Sequence, residues 1–297
     1  MKVYLAPPAH LSQGIQRVAR ALEHYRPDWV ELTRTPEEAD LRVGHVVGLL
    51  GVPEWCAVGP YALIQYCLKT AEEHLSGNGF DPKSNPGVWL PIWNNAKAVW
   101  SYYDLISYIK ESRPGAEFTG TFYHAPLGVD GGAFIPSVPV RKRYVIGTSG
   151  YVAESECVGE CAEAATLVNR PMFHLGPPLD VKGNVCYVSG CTDYDLAEFW
   201  SQCSYVAGLR RFEGFELPAL EGLACGSRPV MLDAPHYRQW FGEHAEYIKE
   251  GTYEEVRDAL VELFSRPVRV VTAVERNHVV DKFNWKPLAE GFWEALR

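Results

Sequence analysis

Residues 212–226 read FEGFELPALEGLACG, which sets two carboxylates, Glu213 and Glu221, eight positions apart around a Gly-Phe turn and a proline. The preceding YVAGL reads as a strand. Gly214 permits a tight turn, Pro218 suits a first helical turn, ALEGLAC continues as helix and Gly226 ends it. A strand, loop and helix in this order present their ligand site at the carboxyl end of the strand. The helix start offers free N–H groups and a partial positive charge, which suit a phosphate. Glu213 stands in front of it, where it repels a phosphate but accepts hydrogen bonds from hydroxyls. A molecule bearing both phosphates and hydroxyls satisfies both halves, and a nucleotide sugar is such a molecule. Spacing alone also allows a plainer arrangement, with Glu221 serving the helix dipole from the first turn and Glu213 a solvated loop residue.

Few other residues carry chemistry by their spacing. Asp193, Tyr194 and Asp195 form a D-x-D triplet, but it precedes the helical run LAEFWSQC, where Asp is favoured at the N-cap or in the first turn. No metal is expected there. The eight cysteines include no C-x-x-C pair and no zinc-ligand spacing; Cys157 with Cys161, and Cys186 with Cys191, are expected to be reduced, buried, apolar-type thiols. A Walker loop, H-E-x-x-H and G-x-S-x-G are all absent from the sequence.

The elements that must position the quoted segment repeat along the chain. KVYLAPP reads as a strand, GIQRVARALEHY as an amphipathic helix, and DWVELT, LRVGHVVG, YALIQYC and AVWSYY continue the series. A second series starts near residue 143 with RYVIGTSG as strand, CVGECAEAATLV as helix, MFHLGP and NVCYVSG as strands, and DYDLAEFWSQC as helix. Alternation of this kind predicts an α/β protein with parallel sheets. Between the series, APLGVDGGAFIPSVPV is rich in Gly and Pro and reads as an interdomain linker, and residues 75–95 read as a long surface loop.

A length of 297 residues favours two domains, and 47% apolar with 22% charged residues marks a globular chain. The net charge of −9 gives no electrostatic footprint for nucleic acid or an anionic membrane, and the basic cluster Arg141 to Arg143 reads as a domain edge. The sequence has no apolar run long enough to span a bilayer and no signal-type start, so the expectation is a soluble, cytoplasmic protein without a membrane-spanning segment.

The quoted segment closely resembles the E-x7-E motif of family 4 retaining glycosyltransferases. PLGVDGGAF, VSGCTDYDLAEFWSQCSYV and KFNWKPLAEGFWEAL resemble further stretches of that family in the same order, so the likeness is strong over residues 123–297 and weak over the first 120. It implies the glycosyltransferase-B (GT-B) fold: two Rossmann-like domains facing across a cleft. Residues 1–137 form the acceptor side, 138–282 the nucleotide-sugar domain, and a terminal helix at 283–297 returns to the first. By resemblance, Glu213 binds the donor sugar's hydroxyls and Glu221 the ribose. The backbone of Gly214, Phe215, Glu216 and Leu217 faces sugar and diphosphate, and Gly150 and Gly190 border the nucleotide. The implied activity is retaining transfer from a nucleotide sugar, UDP- or GDP-linked, which is a co-substrate; no separate cofactor is expected.

Departures from the family pattern fall at the same site. Glu216 replaces a second loop glycine. The G-R-x-x-x-x-K-G phosphate motif reads SGYVAESECVG here, with Tyr151 in place of the arginine and no lysine nearby, so Arg210 and Arg211, just before Glu213, are the candidates to compensate the diphosphate. In the first domain, Gly14 is the sole glycine of the expected Gly-Gly loop and Tyr66 stands about where a catalytic histidine is expected, with His45 and His124 near strand ends. The acceptor, whether glycan, small molecule or modified DNA, is unspecified. Two alternatives stand beside this function. One is a phage-type transferase acting on hydroxymethylated DNA bases, against which residues 1–137 hold 11 Lys and Arg and 14 Asp and Glu. The other is a catalytically silent nucleotide-sugar-binding protein.

Overall fold

A computed structural model describes residues 1–6, 13–47, 59–68, 86–211 and 215–297. These divide into two compact units, Met1–Gly128 with Trp285–Arg297, and Val129–Asn284. Each is built on one six-stranded parallel sheet. Parallel neighbours cannot be joined by a tight turn, so each return needs a crossover. Such sheets are covered on both faces, which is why their strands read as near-continuous apolar runs.

In the first unit the strands are β1 (Lys2–Leu5), β2 (Glu31–Thr33), β3 (Leu41–Val47), β4 (Tyr61–Cys67), β5 (Val99–Ser101) and β6 (Phe122–His124), in the spatial order β2-β1-β3-β4-β5-β6. Helix Gln13–His24 buries Val18, Ala21 and Leu22, and Gly14 lies in its first turn. The region expected as a loop over 75–95 is corrected in its second half, because Pro86–Asn95 is a helix. Trp89 and Trp93, one turn apart, are both buried and stack at 6.1 Å between centroids. Their indoles donate to Leu68 O at 2.9 Å and Gln65 Oε1 at 3.1 Å. Burial of two tryptophans outweighs the unfavourable Pro91 inside the helix.

The terminal helix runs Trp285–Ala295 and belongs to this first unit. Trp293 is fully buried and donates to Leu22 O at 3.1 Å, and Tyr123 donates to Leu288 O at 2.9 Å. It starts two residues later than expected, since Phe283 packs in the second unit against Phe241 and Phe215. The division from the second unit likewise falls at Gly128/Val129 and not near 137. Val129 N–H donates to Phe283 O at 2.8 Å, Phe134 is buried, and Arg276 donates to the carbonyls of Gly131 and Phe134. From Val129 on, the Gly/Pro-rich stretch therefore belongs to the second unit, anchored by Val129 and Phe134 while most of its other residues are exposed.

That unit holds β7 (Val145–Ser149), β8 (Met172–Leu175), β9 (Val185–Val188), β10 (Cys203–Gly208), β11 (Arg228–Leu232) and β12 (Glu246–Ile248), in the order β12-β11-β10-β7-β8-β9. The order reverses between β7 and β10, where adjacent crossovers leave a crevice at the carboxyl ends of the strands. The helices after β7, β9 and β10 are Val158–Leu167, Asp193–Gln202 and Leu217–Ala224. Among the described residues no helix is long and apolar enough to cross a membrane.

A buried ion pair closes the far side of the sheet. The Arg228 side chain is fully buried and reaches both carboxylate oxygens of Glu275, at 2.6 and 3.0 Å, as well as three backbone carbonyls. Burial alone raises the Glu275 carboxyl, but hydrogen bonds from Arg228 and His244 outweigh it and hold its pKa down to about 2. A carboxyl lowered on folding stabilises the native state above its unfolded pKa, and the contribution is lost as pH falls toward the folded value. Glu275→Gln is expected to lower stability by about 2–3 kcal/mol at pH 7 and to flatten the loss of stability between about pH 5 and pH 2, as read by urea unfolding across pH. An unchanged acid profile would exclude Glu275 as the linked group.

Candidate functional site

At the switch point of the second unit, the chain leaving β7 meets the chain leaving β10. Gly150 ends β7 with φ of +151°, a region open to glycine, and its N–H donates to Leu175 O at 3.2 Å. A Cβ there would lie 1.8 Å from Glu156 Oε2. That oxygen accepts from the N–H groups of Tyr151 at 2.6 Å and Val152 at 2.8 Å. On the β10 side, Arg210 Nε lies 3.4 Å from Glu156 Oε1 and 3.3 Å from Glu216 Oε1, and Tyr237 anchors the Arg210 carbonyl at 3.1 Å. Arg210 therefore sits between two carboxylates.

Glu216 is almost wholly buried and ion-paired, and forms the N-cap of the helix Leu217–Ala224 without a side-chain capping bond. Its side chain lies over the end of β10, where only a glycine fits: a Cβ on Gly208 would lie 2.8 Å from Glu216 Cγ. Phe215 is buried among Phe241 and Phe283, and Leu217 is buried as the first helical residue. Their side chains serve packing, so any ligand role for them is a backbone one. Gly190, after β9, takes φ of +71° with open space around it. Glu213 and Gly214 lie outside the described residues.

Glu221 occupies the fifth position of its helix and is buried, so first-turn interaction with the dipole does not explain it. Its Oε2 accepts from the Trp200 indole at 3.2 Å. Arg211 makes an anchoring set, with Glu160 at 3.2 Å, Glu250 at 3.3 Å, and the carbonyls of Glu154 and Gly251, each at 3.3 Å. It ties the end of β10 to the loop after β7 and to the segment after β12.

Two residues of this region carried no role in the sequence. His174, in β8, is fully buried; its Nδ1 lies 2.8 Å from Thr148 Oγ1 and its Nε2 3.2 Å from Gly150 O. Burial, and Arg210 nearby, lower its pKa against the effect of the Gly150 contact, which assigns a neutral ring with Nε2–H donating to Gly150. Glu156 is the second. Laid on Gly150, the G-R-x-x-x-x-K-G pattern puts Tyr151 at its arginine and Glu156 at its lysine, so the sequence held the signal of a reversed charge.

The D-x-D triplet is explained by the helix Asp193–Gln202. Asp195 Oδ2 accepts from Thr192 N–H at 2.8 Å and Thr192 Oγ1 from Asp195 N–H at 3.3 Å, a reciprocal capping box. Among the described residues no group of three or more His, Cys, Asp and Glu is arranged to hold a metal ion. Burial raises the Cys157 thiol to about 12 and Cys161 further, so both are inert thiols, whereas Cys186 is exposed and Cys191 half-buried, contrary to the expected burial of all four.

In the first unit the structure brings His45 and Tyr66 together. His45 Nδ1 is 2.8 Å from Tyr66 Oη and the rings stack at 5.8 Å. Burial lowers His45 to about 4 and raises Tyr66, so the pair is neutral at physiological pH. Tyr102 donates to Tyr66 O, and His124 Nε2 lies 3.4 Å from Tyr102 O.

No protein-family model matches the chain, and no curated protein matches it. Solved structures do. Sucrose-phosphate synthase from Thermosynechococcus elongatus superposes with a TM-score of 0.71 at 13% identity, covering 99% of this chain and 97% of its own. Anabaena HepE in complex with UDP-glucose gives 0.70 at 13% identity over 99% and 98%. A UDP-forming α,α-trehalose-phosphate synthase from Burkholderia xenovorans gives 0.63 at 13% identity over 96% and 86%. The two parallel sheets are thus those of the GT-B fold.

The contacts of Arg211 predict a stability role. Arg211→Ala strands the buried Glu160 carboxylate and is expected to cost about 3 kcal/mol, with much of the loss recovered in Arg211→Ala/Glu160→Gln. Thermal unfolding of the single and double variants tests this. Additive losses would place the value of Arg211 in its carbonyl contacts instead.

Proposed function

We propose that the chain is a retaining glycosyltransferase that takes a nucleotide sugar in its second unit and transfers the sugar to an acceptor hydroxyl. The observation that carries this reading is the E-x7-E segment, which follows β10 at the switch point of a fold matched along nearly its whole length by HepE with UDP-glucose. Ligands of such sheets bind at that crevice. UDP-sugars are therefore the first donors to test, with GDP-sugars beside them.

The chemistry follows from the site. Departure of a nucleoside diphosphate builds negative charge on the phosphates and positive charge on the anomeric carbon. The N-terminal N–H groups of the helix Leu217–Ala224 and the Arg210 guanidinium are the groups suited to the first. Glu213 orients the sugar through its hydroxyls, and Glu221, fixed by Trp200, accepts from the ribose. Attack by the acceptor on the face the diphosphate leaves gives retention. The His45–Tyr66 pair belongs to the unit assigned to the acceptor.

A second reading, a nucleotide-sugar binder without turnover, draws on the Glu156–Arg210–Glu216 group, in which the cation nearest the expected diphosphate is already shared by two carboxylates. The two readings part in one assay. Release of nucleoside diphosphate from UDP-, GDP-, ADP- and dTDP-sugars is measured with and without pooled acceptors, hydroxymethylated DNA among them. Release that requires one donor and one acceptor, and that falls at least about 100-fold in Glu213→Ala, is the expected outcome. Undiminished release in that variant overturns the site. Donor binding without release under all acceptors favours the silent binder.

A further inference from the structure

The loop after β7 is closed by its own carboxylate. Glu156 lies in the turn that leads into the helix Val158–Leu167, and one of its oxygens takes two successive backbone N–H groups, from Tyr151 and Val152, at 2.6 and 2.8 Å. Successive N–H groups converging on one atom form an anion-binding concavity. The other oxygen faces Arg210 Nε at 3.4 Å. Two convergent N–H groups and a guanidinium suit a phosphate oxygen as well as they suit a carboxylate. The Glu156 side chain is only 10% exposed, so this anion is seated in the site and not waving in solvent.

Charge makes the seat selective. Arg210 is also shared with Glu216, whose side chain is 1% exposed, so the single cation of the group already faces two carboxylates. A diphosphate approaching Arg210 and the Tyr151–Val152 N–H groups meets Glu156 in the position it needs. The turn carries a further mark: Cys157, next to Glu156, takes φ of +49°, uncommon for a residue other than glycine. The backbone conformation and the seated carboxylate occur in the same turn.

We propose that Glu156 is an internal anion occupying the phosphate seat at the switch point, and that a nucleoside diphosphate binds only by displacing its carboxylate from the Tyr151 and Val152 N–H groups and from Arg210. The proposal rests on the donor reading above and deepens it. Displacement couples donor entry to a rearrangement of the turn, and it disfavours small anions, which lack the sugar and ribose contacts needed to offset the lost Glu156 bonds.

The test is calorimetric titration of the full chain with UDP and, separately, with inorganic pyrophosphate, in the wild type, Glu156→Gln and Glu156→Ala. Removing the competing charge is expected to tighten both ligands about tenfold or more. Arg210→Ala added to Glu156→Gln is expected to abolish the gain for pyrophosphate. Unfolding temperatures of the ligand-free variants verify the fold, and Glu156→Ala serves if the amide does not fold. UDP binding that is equal or weaker in both variants overturns the internal anion and leaves the donor reading standing. A gain for pyrophosphate with no UDP binding in any form keeps the internal anion and overturns the donor reading. No binding of either ligand by any form overturns both.

Discussion

Parallel strand pairing is the constraint on which the rest of this structure depends. Because each strand of a parallel sheet must be reached by a crossover, all strand carboxyl ends gather at one edge, and the loops that leave them become neighbours. In the second unit the order reverses between β7 and β10, so segments about sixty residues apart in sequence, Gly150 to Glu156 and Arg210 to Glu216, are brought into ionic contact. No local propensity asks for that meeting. It follows from topology, and the carboxyl-edge position is what makes a ligand site of it.

The arginines of this unit meet different partners. Arg211 is engaged by two carboxylates and two carbonyls, and Arg228 in the same unit by a carboxylate and three carbonyls, arrangements that fix the frame. Arg210 faces two carboxylates, one of them on a turn. Arg211 anchors the strand end beside the Arg210 contact, so an anionic ligand can replace one partner of Arg210 without unravelling that end. His174 adds to the frame from below, its neutral ring bridging Thr148 and the carbonyl of Gly150.

Where local pattern and observed structure part, burial is the reason. Residues 86–95 carry two prolines and two asparagines and read as loop, yet Trp89 and Trp93 on one face draw them into a helix. The Gly/Pro-rich stretch after residue 125 reads as a free connection, yet Phe134 and the bonds from Arg276 pack it into the second unit. Glu221 reads as a first-turn carboxylate because Pro218 looks like the helix start; the helix begins a residue earlier, and Trp200 holds the carboxylate from the neighbouring helix.

The sequence by itself determined the α/β class, the succession of apolar strands and helices in two series, the return of an apolar terminal helix, and the glycine, proline and carboxylate spacing of the segment after β10. These are local or periodic properties, carried by residues that must face a core or terminate a helix. Tertiary structure alone decided which carboxylate meets which cation. Glu156, marked in sequence only as a reversed charge at the lysine of the phosphate pattern, became the partner of Arg210, and the adjacent Arg211 became a structural anchor. The reason is physical: ion pairing depends on distance, and two adjacent arginines of equal exposure reach different carboxylates once the chain leaves a strand and their side chains diverge.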